Sequence, residues 1–86
     1  MKVRIPTPLR SYTHQQSVVD AQGTTMSDLL DDLDRRFPGI RFRMVDEQGR
    51  LRQHMKLWIG QDAVTDLSTP LSGSNEVTIM QALSGG

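Results

Sequence analysis

The chain reads as an α+β domain, a small mixed β-sheet with one main amphipathic helix packed on one face. Three observations predict it. A single long segment, residues 26–37, carries apolar residues at helical spacing. Residues 2–6, 55–59 and 76–80 instead alternate polar with apolar, as half-buried strands do. The helical segment also lies between the first strands and the last ones, where a crossover connection belongs.

Each element has its own justification. In Lys2-Val3-Arg4-Ile5-Pro6, Val3 and Ile5 face a core and Pro6 ends the strand. Residues 7–16 have turn chemistry and few apolar side chains, which predicts a loop. Residues 17–21 form a second strand closed by Gly23, so the chain opens on a hairpin. Thr25 with Asp28 three positions on approximates a capping box. Met26, Leu29, Leu30, Leu33 and Phe37 then mark one stripe of an α-helix, with Asp28, Asp31, Asp32 and Asp34 mostly off it. Arg35 and Arg36 suit the last turn, and Pro38-Gly39 stops the helix. Ile40 and Met44 suggest one further helical turn, and Asp46-Glu47-Gln48-Gly49 a chain reversal. Met55, Leu57 and Ile59 alternate with Lys56 and Trp58. Gly60-Gln61-Asp62 turns into a short strand around Ala63-Val64, and Ser72-Gly73-Ser74-Asn75 turns into the last strand, with Val77 and Ile79 inward and Thr78 and Met80 outward. This order matches a ubiquitin-like β-grasp, in which the first and last strands pair in parallel at the sheet centre. One domain, 1–86, is expected, with residues 82–86 as an extended tail.

Composition narrows the function. Ten Lys+Arg balance ten Asp+Glu over 86 residues, which lacks the basic footprint of a nucleic-acid or anionic-membrane binder. Leu, Ile, Val and Phe supply 21 residues, enough for a packed core. No apolar run approaches a membrane span, and there is no Cys to form a disulfide, a thiolate nucleophile or a sulfur-based metal site. A cytoplasmic protein is the expectation. His14 and His54 are forty residues apart without carboxylates at ligand spacing, and no phosphate-binding glycine loop occurs. The acidic stretch 28–34 reads as a solvated helix face rather than a cation site. No catalytic constellation is present in the pattern.

The chain's end is the exception. Gly85-Gly86 alone is a weak signal, about one in two hundred by composition. After a β-grasp pattern it is a specific one. Residues 82–86 can extend about 16 Å, and two glycines let a bare backbone enter a narrow cleft because no Cβ obstructs it. The reactive group is then the α-carboxylate of Gly86.

At this point the sequence resembles the sulfur-carrier proteins of the MoaD/ThiS family over essentially its whole length. The residues that carry the resemblance are Lys2-Val3-Arg4-Ile5-Pro6-Thr7-Pro8-Leu9-Arg10, the helix end Arg36-Phe37-Pro38-Gly39, the Asp46 to Gly49 turn, the strand from Met55, Thr69-Pro70-Leu71, and Glu76-Val77-Thr78-Ile79 with the terminal Gly85-Gly86. The start at Ile5-Pro6-Thr7-Pro8-Leu9-Arg10 is most similar to the branch that serves cysteine biosynthesis; others serve molybdopterin and thiamin. The chain departs from the family pattern at Gly60-Gln61, at Ser72-Gly73-Ser74-Asn75-Glu76 and at Gln81.

The resemblance implies a carrier that is not itself an enzyme. A ubiquitin-activating-like adenylyltransferase would use ATP and Mg²⁺ to adenylate Gly86, and the chain itself would bind no cofactor. A sulfur donor or sulfurtransferase would convert the adenylate to a thiocarboxylate. A cysteine-synthase-like enzyme, molybdopterin synthase or thiazole synthase would accept the sulfur, and a metalloprotease would be the partner that trims a tail. Leu83, Ser84 and Gly85 would thread into the partner. Strand parity leaves Arg4, Lys56, Trp58, Thr78 and Met80 on the face opposite the helix, and Trp, Met and Arg are enriched at interface centres. Two other readings stay open: a ubiquitin-like modifier joined through Gly86 to target lysines, and a non-covalent β-grasp interaction module.

Overall fold

A computed structural model describes residues 1–71 and 76–82 of the chain. Strands β1 (Lys2–Arg4), β2 (Val18–Asp20), β3 (Met55–Ile59), β4 (Asp62–Val64) and β5 (Val77–Gln81) form one sheet in the order β2-β1-β5-β3-β4. β1 and β5 run parallel, with Val3 opposite Val77 and Arg4 opposite Thr78, while the other neighbouring pairs are antiparallel. A parallel pair needs a crossover, and helix α1 (Met26–Arg36) lies on it. The fold is the ubiquitin-like β-grasp that the element order predicts, with β5 as the central strand. The predicted turn at residues 72–75 lies outside the described residues.

Helix α1 starts where the sequence places it. Thr25 is the N-cap, its hydroxyl accepting from the Asp28 N–H at 3.2 Å. The other free donors of the first turn are met by a crossing segment: Met26 N–H donates to Thr69 O at 3.0 Å and Ser27 N–H to Leu67 O at 2.8 Å. The box is completed on one side only, because the Asp28 carboxylate accepts from the Thr24 hydroxyl at 2.6 Å instead of from the cap backbone. Met26, Leu29, Leu30 and Leu33 are all buried on the sheet.

The acidic side chains of α1 do more than face water. Asp32 accepts from the Gln22 N–H at 2.8 Å and pairs with Arg35 and Arg36, tying the end of the β2 connection to the helix. Asp34 accepts from the N–H groups of Gly39 and Arg41, both at 3.1 Å, and so fixes the start of helix α2 (Ile40–Met44), the extra turn that Ile40 and Met44 suggest. Asp31 pairs with Arg41 at 2.9 Å.

One element differs from expectation. Residues 7–16 are not a plain loop, because Thr7–Thr13 is a 3-10 helix. Pro8 sits in its first turn, Leu9 is buried in the core, and Thr13 is fully buried with its hydroxyl donating to Gln16 O at 2.8 Å. With two apolar anchors in ten residues, the segment has too short a pattern to signal a helix; burial of Leu9 and packing of Tyr12 against the core hold it. The β3–β4 turn at Gly60-Gln61 places Gly60 at φ 59°, the first-position glycine that a two-residue hairpin favours.

Two stability predictions follow from this packing. A Cβ at Gly23 would sit 2.4 Å from the Leu29 nitrogen, whereas one at Gly49, at φ 80°, meets nothing within 4 Å. Gly23→Ala should therefore cost about 1–3 kcal/mol by forcing backbone apart, more than Gly49→Ala, as measured by urea unfolding. The Asp32 carboxyl titrates below the usual range, chiefly because the Gln22 N–H and then Arg36 stabilise its charge. Its contribution is present above an ordinary carboxylate pKa of about 4 and is lost as pH falls through the depressed folded value. Asp32→Asn should be less stable than the parent chain at neutral pH, and the gap should close in acid.

Candidate functional site

Strand alternation buries Val3, Met55, Leu57, Val77 and Ile79, and Ile5 beyond β1 joins them; Ile59, at the end of β3, is only partly covered. The alternate residues form the face opposite α1. Register decides who stands beside whom. Arg4 lies opposite Thr78 and Thr78 opposite Trp58, so one row crosses β1, β5 and β3, and in the next row Met80 lies opposite Lys56. The sheet thus brings all five of the predicted face residues together.

The row extends further than the sequence suggested. Val18 of β2 lies opposite Arg4 and Ala63 of β4 opposite Trp58, so it spans the sheet from edge to edge. Val18 is 38 % and Met80 49 % exposed, unusual for large apolar side chains. Val18-Val19 carries no alternation by itself, and only pairing with β1 shows which valine points outward. Trp58 is half-buried between the small partners Thr78 and Ala63, and its indole Nε1 is shielded with no hydrogen-bond partner among the described residues.

Arg4 is held by Glu76, Nε to Oε1 at 2.5 Å, an exposed pair that holds the guanidinium still more firmly protonated. Beside it runs a groove of about 560 Å³ between the 3-10 helix and the end of β5, walled by Arg4, Pro6, Pro8, Arg10, Met80 and Gln81. Arg10 is fixed there by its Nε donating to Ile5 O at 3.1 Å. The groove leads to the foot of the tail. Ala82 is exposed, and its N–H still donates to His54 O at 2.8 Å. The predicted reactive residue Gly86 and the threading residues Leu83, Ser84 and Gly85 lie outside the described residues.

The histidines have separate surroundings. His14, in the left-handed region at φ 55°, packs edge-on to Phe37 with ring centres 6.1 Å apart, and His54 borders a cleft with Gln81. Among the described residues no group of three or more His, Asp or Glu is placed to hold a metal ion, and no helix is long and apolar enough to cross a membrane.

Comparison with known proteins agrees with the fold. The sequence model of the ThiS family matches residues 3–86. The chain belongs to the ThiS family. Sulfur carrier protein CysO of Mycobacterium tuberculosis is 33 % identical over 89 residues, which is 98 % of this chain and 96 % of that protein. Its crystal structure matches at a TM-score of 0.89 with 31 % identity, over 95 % of this chain and 98 % of the other. A chain of the Amycolatopsis orientalis BexX/CysO complex matches at 0.90 with 31 % identity, over 99 % and 98 %. SAMP1 of Haloferax volcanii, at 0.78 and 24 % identity over 100 % and 98 %, shares the fold. This ThiS-family chain is a sulfur carrier, a carrier's role rather than an enzyme's.

Trp58 is the chain's one tryptophan, so its emission reports the open face. A protein that covers this face should move the emission to shorter wavelength and slow acrylamide quenching. An unchanged spectrum in a complex that has formed by gel filtration would place the contact elsewhere.

Proposed function

We propose that this ThiS-family chain carries sulfur for cysteine biosynthesis as a thiocarboxylate on Gly86. The observation that carries the reading is the course of β5. It runs through the middle of the sheet and delivers Ala82 to the surface still hydrogen-bonded to His54. Four residues follow, a reach of about 14 Å if extended, and glycine at the last two positions leaves no Cβ to obstruct a narrow active site.

The chemistry is supplied by partners. A carboxylate is a poor electrophile, so a ubiquitin-activating-like adenylyltransferase, with ATP and Mg²⁺, lets the Gly86 carboxylate oxygen attack the α-phosphate and expel pyrophosphate. Hydrosulfide from a sulfur donor then attacks the acyl carbon and expels AMP, which leaves the thiocarboxylate. Its sulfur is the softer and more nucleophilic end, suited to attack an activated carbon held by a cysteine-synthase-like acceptor. The chain has no Cys on which to carry a persulfide, which favours the carboxyl-terminal route. A metalloprotease that trims residues beyond Gly86 belongs to the same proposal.

The body of the domain is the handle. Arg4, Thr78, Trp58, Met80 and Lys56 form the docking face, and the shielded Trp58 Nε1 is a donor that a partner carbonyl would satisfy. The similar Amycolatopsis orientalis structure is of a BexX/CysO complex, which supports a carrier that works bound to a partner protein.

Incubation with the adenylyltransferase of the source organism, ATP and sulfide should replace one terminal oxygen by sulfur in the intact mass, and deletion of Gly86 should abolish the change while leaving the thermal unfolding curve in place. The same mass shift in the deletion variant would overturn the reading. Trp58→Ala should raise the KM for the carrier about tenfold or more with kcat largely retained.

A further inference from the structure

We infer that the cleft between α2 and the end of β5 is a second docking element, built to take an acidic, carboxylate-bearing loop of the protein that handles the chain's C-terminus. This rests on the reading of the tail above, and its argument comes from a separate group of residues. The cleft, of about 320 Å³, is lined by Phe42, Arg43, Arg52, His54 and Gln81. Two guanidinium groups, an imidazole, an amide and an aromatic ring face it, and among the described residues no carboxylate lines it.

That charge is left over after internal pairing. Arg4, Arg35, Arg36 and Arg41 each reach an Asp or Glu. Among the described residues neither Arg43 nor Arg52 forms a salt bridge; Asp46 is near enough to Arg52 to feel its charge, but its carboxylate is taken up by the N–H groups of Gln48 and Arg50. An overall charge of zero therefore hides a cationic end of the molecule.

Arg52 is also set in place before any partner arrives. Its Nε donates to Phe42 O at 2.8 Å, its Cζ lies 4.6 Å from the Phe42 ring centre, and its own N–H donates to Met44 O at 2.8 Å. This geometry uses Nε and leaves the two terminal nitrogens free for an end-on, bidentate carboxylate. A side chain already ordered loses less freedom on binding than a swinging lysine would. Phe42, 56 % exposed, offers an apolar shelf beside the charge. An acidic residue next to an apolar one fits both halves; a bare inorganic anion uses only one.

Position links the cleft to the tail. Gln81 borders both this cleft and the Arg4–Met80 groove, and His54 O holds the Ala82 N–H. A protein that takes hold of the chain at Ala82 has this surface beside it.

The first test needs neither nucleotide nor sulfur, so it stands apart from the chemistry at Gly86. The labelled full chain is titrated with the peptide acetyl-Glu-Leu-Glu-Glu-amide at low ionic strength and followed by amide and Arg Nε chemical shifts. Shifts centred on Phe42, Arg43, Arg52 and His54, weakened about tenfold in Arg43→Glu and Arg52→Glu and by added salt, are expected. Shifts centred on Arg4, Arg10 or Lys56 would overturn the assignment. So would an equal response to inorganic phosphate, or concentration-dependent shifts without peptide that involve Asp28 and Asp31, which would make a second copy the occupant. The second test uses the adenylyltransferase: the two reversals should raise KM for the carrier about tenfold with kcat retained, and an unchanged KM overturns the proposal. If the parent chain is never adenylated, the Gly86 reading fails, and the peptide titration still decides the cleft.

Discussion

The parallel pairing of β1 with β5 is the constraint on which the rest of the molecule depends. Val3 and Val77, like Arg4 and Thr78, are 74 positions apart, and strands so distant can lie side by side and in the same direction only if the chain between them forms a crossover and a return. That requirement puts α1 on one face, sets Arg4, Thr78 and Met80 on the other, and makes β5 the central strand. It also sets where the chain emerges. Ala82 leaves from the middle of the sheet, beside both the open face and the α2 cleft, so the position of any chemistry at the terminus is decided by a backbone ladder rather than by side chains at the terminus itself.

A second theme is how a small domain without disulfides holds its connections. The carboxylates of α1 act as tethers: Asp28 to Thr24, Asp32 to the Gln22 backbone, Asp34 to the first N–H groups of α2 and Asp31 to Arg41. The crossing segment around Leu67 and Thr69 adds its carbonyls to the N-terminus of the same helix. Each contact is modest alone, but together they orient loops that a core of this size grips weakly. Engaging the acids this way separates charge across the surface. Among the described residues Arg43 of α2 and Arg52 beside it form no salt bridge, which joins the architecture of the fold to the chemistry of what it can meet.

The candidate site was legible in the sequence to different depths. Period-two alternation was enough to place Arg4, Lys56, Trp58, Thr78 and Met80 on one face, because successive side chains of a strand must point to opposite sides. It could not reach Val18, since two adjacent valines have no parity of their own, nor Ala63, in a strand of three residues. Phe42 and Arg52 were out of reach for a different reason. They are ten residues apart across an irregular connection, and their contact is made by a backbone carbonyl that no side-chain pattern encodes. The 3-10 helix was missed because its stability comes from burying Leu9 and Thr13 rather than from any repeating stripe.

By itself the sequence determined the class of fold, the helix with its cap and stop, the inward residues of the longer strands and the glycines at the end. These rest on local chemistry: alternation, helical spacing, and backbone freedom at named positions. Only the tertiary structure decided the cross-strand register, the shared row from Val18 to Ala63, the tethering by α1 carboxylates and the grip of Arg52 on Phe42. Those depend on which distant backbones lie within hydrogen-bonding distance, a relation between segments that no single segment contains.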